Sequence, residues 1–149
     1  MVIIHMMPDD TVQMAVASPL TAIASDGWIR DGKGHPRSAG TYTRVRGGYV
    51  REKKAISLME ALRKMTLMPA QRLESLTPTM KNKGRVRVDA DADLAIFDPA
   101  RVADMATYAE PTKQPEGMVH VIVNGVPVVE SGRLQVGATP GRAVRAPIH

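Results

Sequence analysis

The sequence has 149 residues, of which 44% are hydrophobic and 23% charged, and a formal net charge of +5. This length and composition suit one globular domain with a real core. Because there is no cysteine, disulfides, thiolate metal ligands and cysteine nucleophiles are all excluded. The basic residues are scattered and aromatic residues make up only 3% of the chain, so nucleic acid is not expected as a partner.

A membrane partner is not expected either. No apolar stretch approaches the roughly 18 to 20 residues that cross a bilayer. The N-terminus has no basic n-region and no small-residue cleavage site, so residues 2–5 are interpreted as a buried strand and not as part of a signal peptide. A cytoplasmic location is the resulting expectation.

The first half of the chain predicts strands alternating with helices. After the strand at residues 2–5, residues 8–11 are expected to start a short helix that runs through Ala17, because their acidic side chains suit the positive end of a helix. The apolar run at residues 20–25 predicts a second buried strand. The glycine- and proline-rich stretch from 27 to about 48 predicts a long loop, and loops of this size are usually functional or disordered.

Two further helices are predicted before residue 77. Ser57 and Glu60 form a capping box, in which each side chain satisfies a backbone N–H group. An apolar stripe at helical spacing follows, made of Leu58, Ala61, Leu62 and Met65. Pro69 then opens a second short helix that ends near Leu73, since proline suits the first position of a helix.

The second half of the chain predicts strands. Valines alternate with arginines over residues 85–88, as in a half-exposed strand, and residues 93–98 form another strand. A hairpin is predicted over residues 119–130, because its central Asn124-Gly125 suits a two-residue turn with positive φ at both positions. A domain boundary is therefore expected near residue 77.

Asp26 follows the apolar run at residues 20–25 and precedes Gly27. A carboxylate at the tip of a buried strand, with a glycine to turn the chain, is how a barrel enzyme presents an acid to its active site. The same position also suits a turn residue or a helix cap. The local sequence leaves these alternatives open.

An ordered set of segments resembles a known family. The set comprises residues 3–7, 24–27, 35–37, 40–45, 49–52, 64–66, 69–70, 84–86, 92–94, 97–99, 115–117 and 123–125. Together they resemble the C-terminal part of the N-acyl-D-amino-acid deacylases (D-aminoacylases), within the metal-dependent amidohydrolase superfamily. The resemblance covers nearly the whole chain, and the stretch from Ser25-Asp26-Gly27 to His35-Pro36-Arg37 narrows it to this branch.

The resemblance implies an α/β plus β fold. Members combine a (β/α)₈ (TIM) barrel with a small β-sandwich. Residues 1–76 would supply the last barrel strands and helices, and residues 77–149 would supply C-terminal strands of the sandwich. The boundary expected from the residues alone agrees with this division.

The resemblance also implies a chemistry, the hydrolysis of the amide bond of an N-acyl-D-amino acid with zinc as the cofactor. Asp26 matches the catalytic aspartate, which touches the metal centre and relays a proton from the attacking water to the leaving amine. Arg37 matches the arginine that holds the α-carboxylate of the substrate, for which a planar guanidinium is well suited. The alternative for Arg37 is an ion pair with a surface acid.

Other candidate residues carry weaker expectations. His35 precedes Arg37 and would position it, while Tyr42 and Arg44 are candidates for the wall of the substrate pocket. His5 either lines the pocket or packs within a strand. His120 and His149 are expected to be structural or incidental.

Most of the family's metal ligands have no counterpart here. The four histidines stand at positions 5, 35, 120 and 149, so there is no His-x-His pair, and the bridging cysteine is also absent. A catalytic zinc needs about three protein ligands, and a complete barrel takes roughly 250 residues. The chain is therefore expected to be a fragment that is inactive alone and binds no zinc tightly.

Such a fragment is expected to associate, because barrel strands without neighbours expose apolar edges. It would pair with the missing N-terminal part or with a second copy of itself. The alternative function is a non-catalytic interaction or oligomerisation module that docks onto a partner carrying the metal site.

Overall fold

The computed structural model describes residues 6–146. The chain divides into two compact units. The first contains the residues up to Ala61 together with Pro99–Gly117, and the second contains Leu62–Asp98 and the residues from Met118 onward. The strand predicted at residues 2–5, including His5, lies outside the described residues. The domain boundary near residue 77 stays a prediction.

Helix α1, Asp9–Ala17, confirms the first helix prediction. Asp9 and Asp10 lie in its first turn, where the helix dipole favours negative charge. Lys53 forms an ion pair with Asp9 and lies 4.9 Å from the centre of the Tyr49 ring. The hydrogen bond from Lys53 lowers the pKa of Asp9, and the same bond raises the pKa of Lys53.

The strand predicted at residues 20–25 is wrong for this structure, because the segment joins no β-ladder. Thr21, Ile23 and Ser25 are half-buried and alternate with exposed Ala22 and Ala24, so the two-residue periodicity of a strand remains. Leu20, just before them, is 88% exposed. A strand needs a neighbouring strand for its backbone hydrogen bonds, and none of the described strands pairs with this segment.

The long loop predicted from residue 27 to 48 is also wrong. Strands β1, Ile29–Arg30, and β2, Lys33–Gly34, form a hairpin. Helix α2 follows at Arg37–Arg44, and a π-helix continues it over Val45–Glu52. The core of the first unit lies here, with Val45, Tyr49 and Val102 all buried.

Gly40 explains why this stretch was misread as a loop. It lies inside α2, although glycine usually weakens a helix. A Cβ at this position would overlap the carboxylate of Asp104. The glycine therefore permits a close contact between α2 and the segment around residue 104, and it does not mark a flexible region.

Helices α3, Leu58–Met65, and α4, Leu67–Leu73, confirm the two helices predicted before residue 77. The Glu60 N–H donates to Ser57 Oγ at 3.2 Å, which is one half of the expected capping box. Ala61 is fully buried. Pro69 is the third residue of α4, so this helix begins two residues earlier than predicted.

The second unit contains one antiparallel sheet of four strands in the order β3-β4-β5-β6. The strands are β3, Leu94–Phe97; β4, Met118–Val123; β5, Val126–Glu130; and β6, Arg133–Leu134. Asn124 and Gly125 join β4 to β5 with φ of 47° and 79°, which confirms the hairpin and its turn type.

The strand predicted around Val86 and Val88 is wrong, since both side chains are 87% exposed and no ladder forms there. Lys83 closes the segment into a loop by pairing with Asp91 at 3.0 Å and with Asp93 at 2.6 Å. Asp93 also accepts the N–H of Asn124 at 2.8 Å, which ties this loop to the hairpin turn.

We expect Gly40→Ala to destabilise the first unit by about 1 kcal/mol, because the added methyl group displaces the Asp104 carboxylate and with it the hydrogen bond from the Ala106 N–H. Gly48→Ala is the matched control, since its Cβ would lie 3.9 Å from Arg44 Cγ in ordinary contact. That variant should be neutral or stabilising by up to about 1 kcal/mol. Urea denaturation measures both, and equal effects would contradict the close contact at Gly40.

The Lys83–Asp93 pair predicts a pH window for the second unit. Burial raises the pKa of Asp93, but the Asn124 N–H and Lys83 outweigh it, so the net pKa is lowered. Stability from Asp93 is therefore present above the ordinary aspartate pKa of about 3.9 and is lost as pH falls through the lower folded value. The hydrogen bond that Lys83 donates to Asp93 raises the pKa of Lys83, so the contribution of Lys83 is lost only above about pH 10.

Asp93→Asn tests this window, because it removes the charge and keeps an acceptor for Asn124. Its free energy of unfolding, measured by urea denaturation, should vary less with pH below pH 4 than that of the wild-type chain. Asp89→Asn, at an exposed aspartate four residues away, is the control. An unchanged acid dependence in Asp93→Asn would refute the assignment.

Candidate functional site

Asp26 and Arg37, the predicted acid and the predicted carboxylate clamp, lie together in the structure. Arg37 is the first residue of α2, and its Nη2 is 2.7 Å from Asp26 Oδ2. Its Nε–H also donates to the backbone oxygen of Asp26 at 3.0 Å. The two side chains therefore form an ion pair, with the aspartate side chain 84% exposed.

The backbone around Asp26 is shaped for this contact. Asp26 has φ of 45°, a left-handed conformation that aspartate tolerates better than most residues. Beyond it, the Trp28 N–H donates to Ser38 Oγ at 2.9 Å, and the Ser38 hydroxyl donates to Trp28 O at 3.1 Å. This exchange fastens the turn after Asp26 to the first residues of α2.

His35 lies beside the same helix start. Its Nδ1 accepts the backbone N–H of Arg37 at 3.1 Å. Its ring meets that of Tyr108 edge to face, with ring centres 5.4 Å apart and planes at 78°. His35 thus links the first residue of α2 to the segment around residue 108.

A cavity of about 300 Å³ adjoins Arg37. One wall comes from the start of α2, and the other from the segment around residues 104–108. The lining includes Arg37, Thr41, Arg44, Asp104 and Tyr108. Arg37, Thr41 and Arg44 share one face of α2, because residues four and seven positions apart stack along a helix.

A larger cavity of about 530 Å³ also contains Arg37 and Arg44. Its other walls are α1 and the segment at residues 21–24, with Val12, Val16 and Ile23 among the lining. The chain around Arg37 therefore faces two cavities.

The structure places the other predicted site residues, Arg44 and Tyr42, in different positions relative to the cavities. Arg44 lines both cavities with Arg37, whereas Tyr42 is 40% exposed and is not among the residues lining either one. The backbone oxygen of Tyr42 accepts a hydrogen bond from Nε of Arg46, whose pKa is lowered by burial. His5 lies outside the described residues.

Tyr108 and Asp104 are not among the site residues that the sequence predicted. They lie near Arg37 in the fold but about 70 positions after it in the sequence, and no local pattern marks such residues.

Within the part of the chain that the structure describes, no group of three His, Cys, Asp or Glu residues could hold a metal ion. Asp26 is paired with Arg37, and His120 Nδ1 accepts the N–H of Ser131 in the second unit. A protein zinc site needs about three ligands. Residues 6–146 therefore do not fit a catalytic zinc by themselves.

None of the helices within residues 6–146 combines the length and apolar character needed to span a bilayer.

The chain belongs to the amidohydrolase family, whose family model matches residues 10–129. It is 40% identical to the D-aminoacylase of Alcaligenes xylosoxydans xylosoxydans over 126 residues, which cover 85% of this chain and 25% of that protein. The resemblance read from the sequence is thereby confirmed. The chain spans about a quarter of the length of the curated relatives it matches.

Solved structures agree. A D-aminoacylase with a binuclear metal centre superposes with a TM-score of 0.83 at 38% identity, covering 93% of this chain and 28% of that one. The N-acyl-D-glutamate deacylase of Bordetella bronchiseptica, complexed with zinc and a phosphonate inhibitor, gives a TM-score of 0.80 at 37% identity, covering 94% and 28%. These neighbours place the chain in a TIM-barrel family.

Because the Asp26–Arg37 pair is exposed, we expect a double-mutant cycle with Asp26→Asn and Arg37→Gln to give a coupling of at most about 1 kcal/mol in unfolding free energy. The Glu74–Arg85 pair is the comparison, since its side chains are only 23% and 22% exposed and less screened. Its coupling should be the larger of the two. The opposite order would show that Asp26 and Arg37 serve stability first.

Proposed function

We propose that this chain supplies the proton-transferring acid and the carboxylate-binding arginine of an N-acyl-D-amino-acid amidohydrolase. The ion pair between Asp26 and Arg37 is the observation that carries the proposal. It joins two residues, eleven positions apart, that the family resemblance selected separately. The relatives named for D-aminoacylase and N-acyl-D-glutamate deacylase activity support the substrate class.

Arg37 would bind the α-carboxylate of the substrate. A guanidinium has five N–H donors in a planar fork, and Asp26 engages only Nε and Nη2 in the structure. The remaining donors suit a second carboxylate. The cavity next to Arg37 provides room for the rest of a small substrate, with Thr41 and Arg44 along its wall.

Asp26 would act as the proton carrier. Its exposed carboxylate can accept a proton from the attacking water as oxygen bonds to the acyl carbon, and then give it to the departing amine nitrogen. The substrate held on Arg37 would lie next to this carboxylate. His35 contributes by fixing the backbone N–H of Arg37.

The zinc of the intact enzyme would be held mainly by polypeptide other than residues 6–146, and Asp26 would be a ligand from this chain. We infer that the chain alone is inactive and binds no zinc tightly. The assignment of residues 1–76 to the barrel, of 77–149 to the β-sandwich and of the chain to the cytoplasm belongs to the same proposal.

The segment at residues 20–25, which joins no strand among the described residues, supports pairing with that other polypeptide. It retains the alternation of a strand, and residues 21–24 form one wall of the 530 Å³ cavity. Self-association by exchanged strands, and docking as a non-catalytic module onto a partner with the metal site, are the alternatives.

Complementation tests the proposal. The chain is mixed, with zinc, with the N-terminal three quarters of the Alcaligenes D-aminoacylase, and hydrolysis of N-acetyl-D-methionine is measured. We expect no activity from either part alone and activity from the mixture. Asp26→Asn should lower kcat by at least about 100-fold, and Arg37→Gln should mainly raise KM, as loss of a substrate carboxylate contact does.

The outcomes are separable by light scattering on the mixture and on the chain alone. A stable complex without activity would favour the non-catalytic module. A homodimer that ignores the added polypeptide would favour self-association. Full activity in a complex containing Asp26→Asn would refute the assigned acid, while Asp89→Asn serves as the carboxylate control.

A further inference from the structure

We propose that Tyr108 is a positioning residue for the carboxylate clamp, acting on Arg37 through His35. The inference rests on the proposed function, because it assumes that Arg37 binds the substrate carboxylate. Tyr108 lies 71 positions after Arg37 in the sequence but in the same compact unit. Nothing in the local sequence around residue 108 marks it as part of the site.

A continuous series of contacts joins Tyr108 to the acid. The edge of one ring meets the face of the other between Tyr108 and His35. His35 Nδ1 accepts the Arg37 N–H, and Arg37 in turn holds the carboxylate and backbone oxygen of Asp26. A shift of the His35 ring would therefore move the acceptor away from the first N–H of α2, which belongs to the residue that carries the guanidinium.

The backbone that carries Tyr108 is fixed independently of this contact. Arg51 Nη1 donates to Val102 O at 2.7 Å, and Ala103 forms a β-bridge with Glu116. Asp104 lies against Gly40 and accepts the Ala106 N–H at 2.9 Å. The segment is thus anchored on α2 and the π-helix, so it can hold a ring in place against His35.

The same segment forms the wall opposite α2 in the 300 Å³ cavity. Tyr108 therefore has two effects that a surface tyrosine lacks. It supports the histidine that orients Arg37, and it bounds the space beside the guanidinium. Because half of its surface is exposed, removing its ring should leave the core of the first unit intact.

The test uses the full 149-residue chain, labelled with ¹⁵N, and N-acetyl-D-alanine as the probe. Two quantities are measured by NMR: the hydrogen-exchange rate of the Arg37 backbone amide without ligand, and the dissociation constant from the shift of Arg37 Nε–H. Tyr108→Phe, which keeps the ring, should stay within about twofold of the wild-type chain. Tyr108→Ala and His35→Ala should each raise the exchange rate and weaken binding by about 3- to 10-fold, as expected for an aromatic edge contact.

The double variant Tyr108→Ala/His35→Ala decides whether Tyr108 acts through His35. Its Arg37 amide should exchange no faster than in His35→Ala alone, because a residue that acts through another adds nothing once that residue is gone. Effects on the exchange rate that multiply would overturn the proposal, as would an unchanged Arg37 exchange rate in Tyr108→Ala. Tyr108→Leu keeps the bulk and covers the case in which the alanine variant unfolds. Val136→Ala, in the second unit and 93% exposed, is the neutral control.

Failure of the proposed function gives a different result. If the wild-type chain does not bind N-acetyl-D-alanine, the role of Arg37 as a carboxylate clamp fails, and the substrate part of the inference fails with it. Faster hydrogen exchange of the Arg37 backbone amide in Tyr108→Ala would still establish that Tyr108 acts on Arg37 through His35. If binding is seen and Tyr108→Ala changes neither quantity, only the inference on Tyr108 is refuted.

Discussion

The first unit depends on the close approach of α2 to the segment at residues 99–117. Gly40 allows it, because any larger side chain would occupy the position of the Asp104 carboxylate. Arg51 secures the other end by donating to the carbonyl of the buried Val102. Well-packed interiors tolerate little change in volume at such a contact. The position of α2, and with it the position of Arg37, is therefore set by residues far away in the sequence.

This arrangement separates the residues that stabilise the unit from those that would carry chemistry. Val45, Tyr49 and Val102 form the buried core, while Asp26 and Arg37 lie at its surface. An exposed ion pair contributes little to stability, because water and salt screen it. Breaking the pair therefore costs the fold little stability. Another carboxylate can then replace Asp26 at the guanidinium of Arg37.

The elements that the sequence predicted correctly are those whose signals are local. Acidic residues at a helix start, the Ser57 cap and the Asn124-Gly125 turn each determine the backbone within a few residues, and α1, α3 and the β4–β5 hairpin followed. The family was also recognisable, because an ordered set of short motifs is present in a chain that spans about a quarter of the length of its relatives.

The predictions that failed concern contacts over long distances. Residues 20–25 were expected to be a buried strand, but a strand exists only with a neighbour, and the sequence of one segment does not say whether that neighbour is present. The glycines before residue 48 predict a loop, although Gly40 lies inside helix α2 and permits a close contact with Asp104. Asp104 and Tyr108 could not be placed near Arg37, since only the folded chain brings residues 70 positions apart together.

The same physical argument bears on the metal. Three ligands must converge on one metal ion. In contrast, Asp26 and Arg37, which lie eleven positions apart, meet through a single ion pair. A quarter of the family's length can therefore preserve the Asp26–Arg37 contact and still lack a metal cage among its described residues. The Asp26–Arg37 contact is local to α2 and the turn at residue 26, whereas three metal ligands must be brought together from separate positions. That difference explains how this contact can form among described residues that contain no metal-binding group.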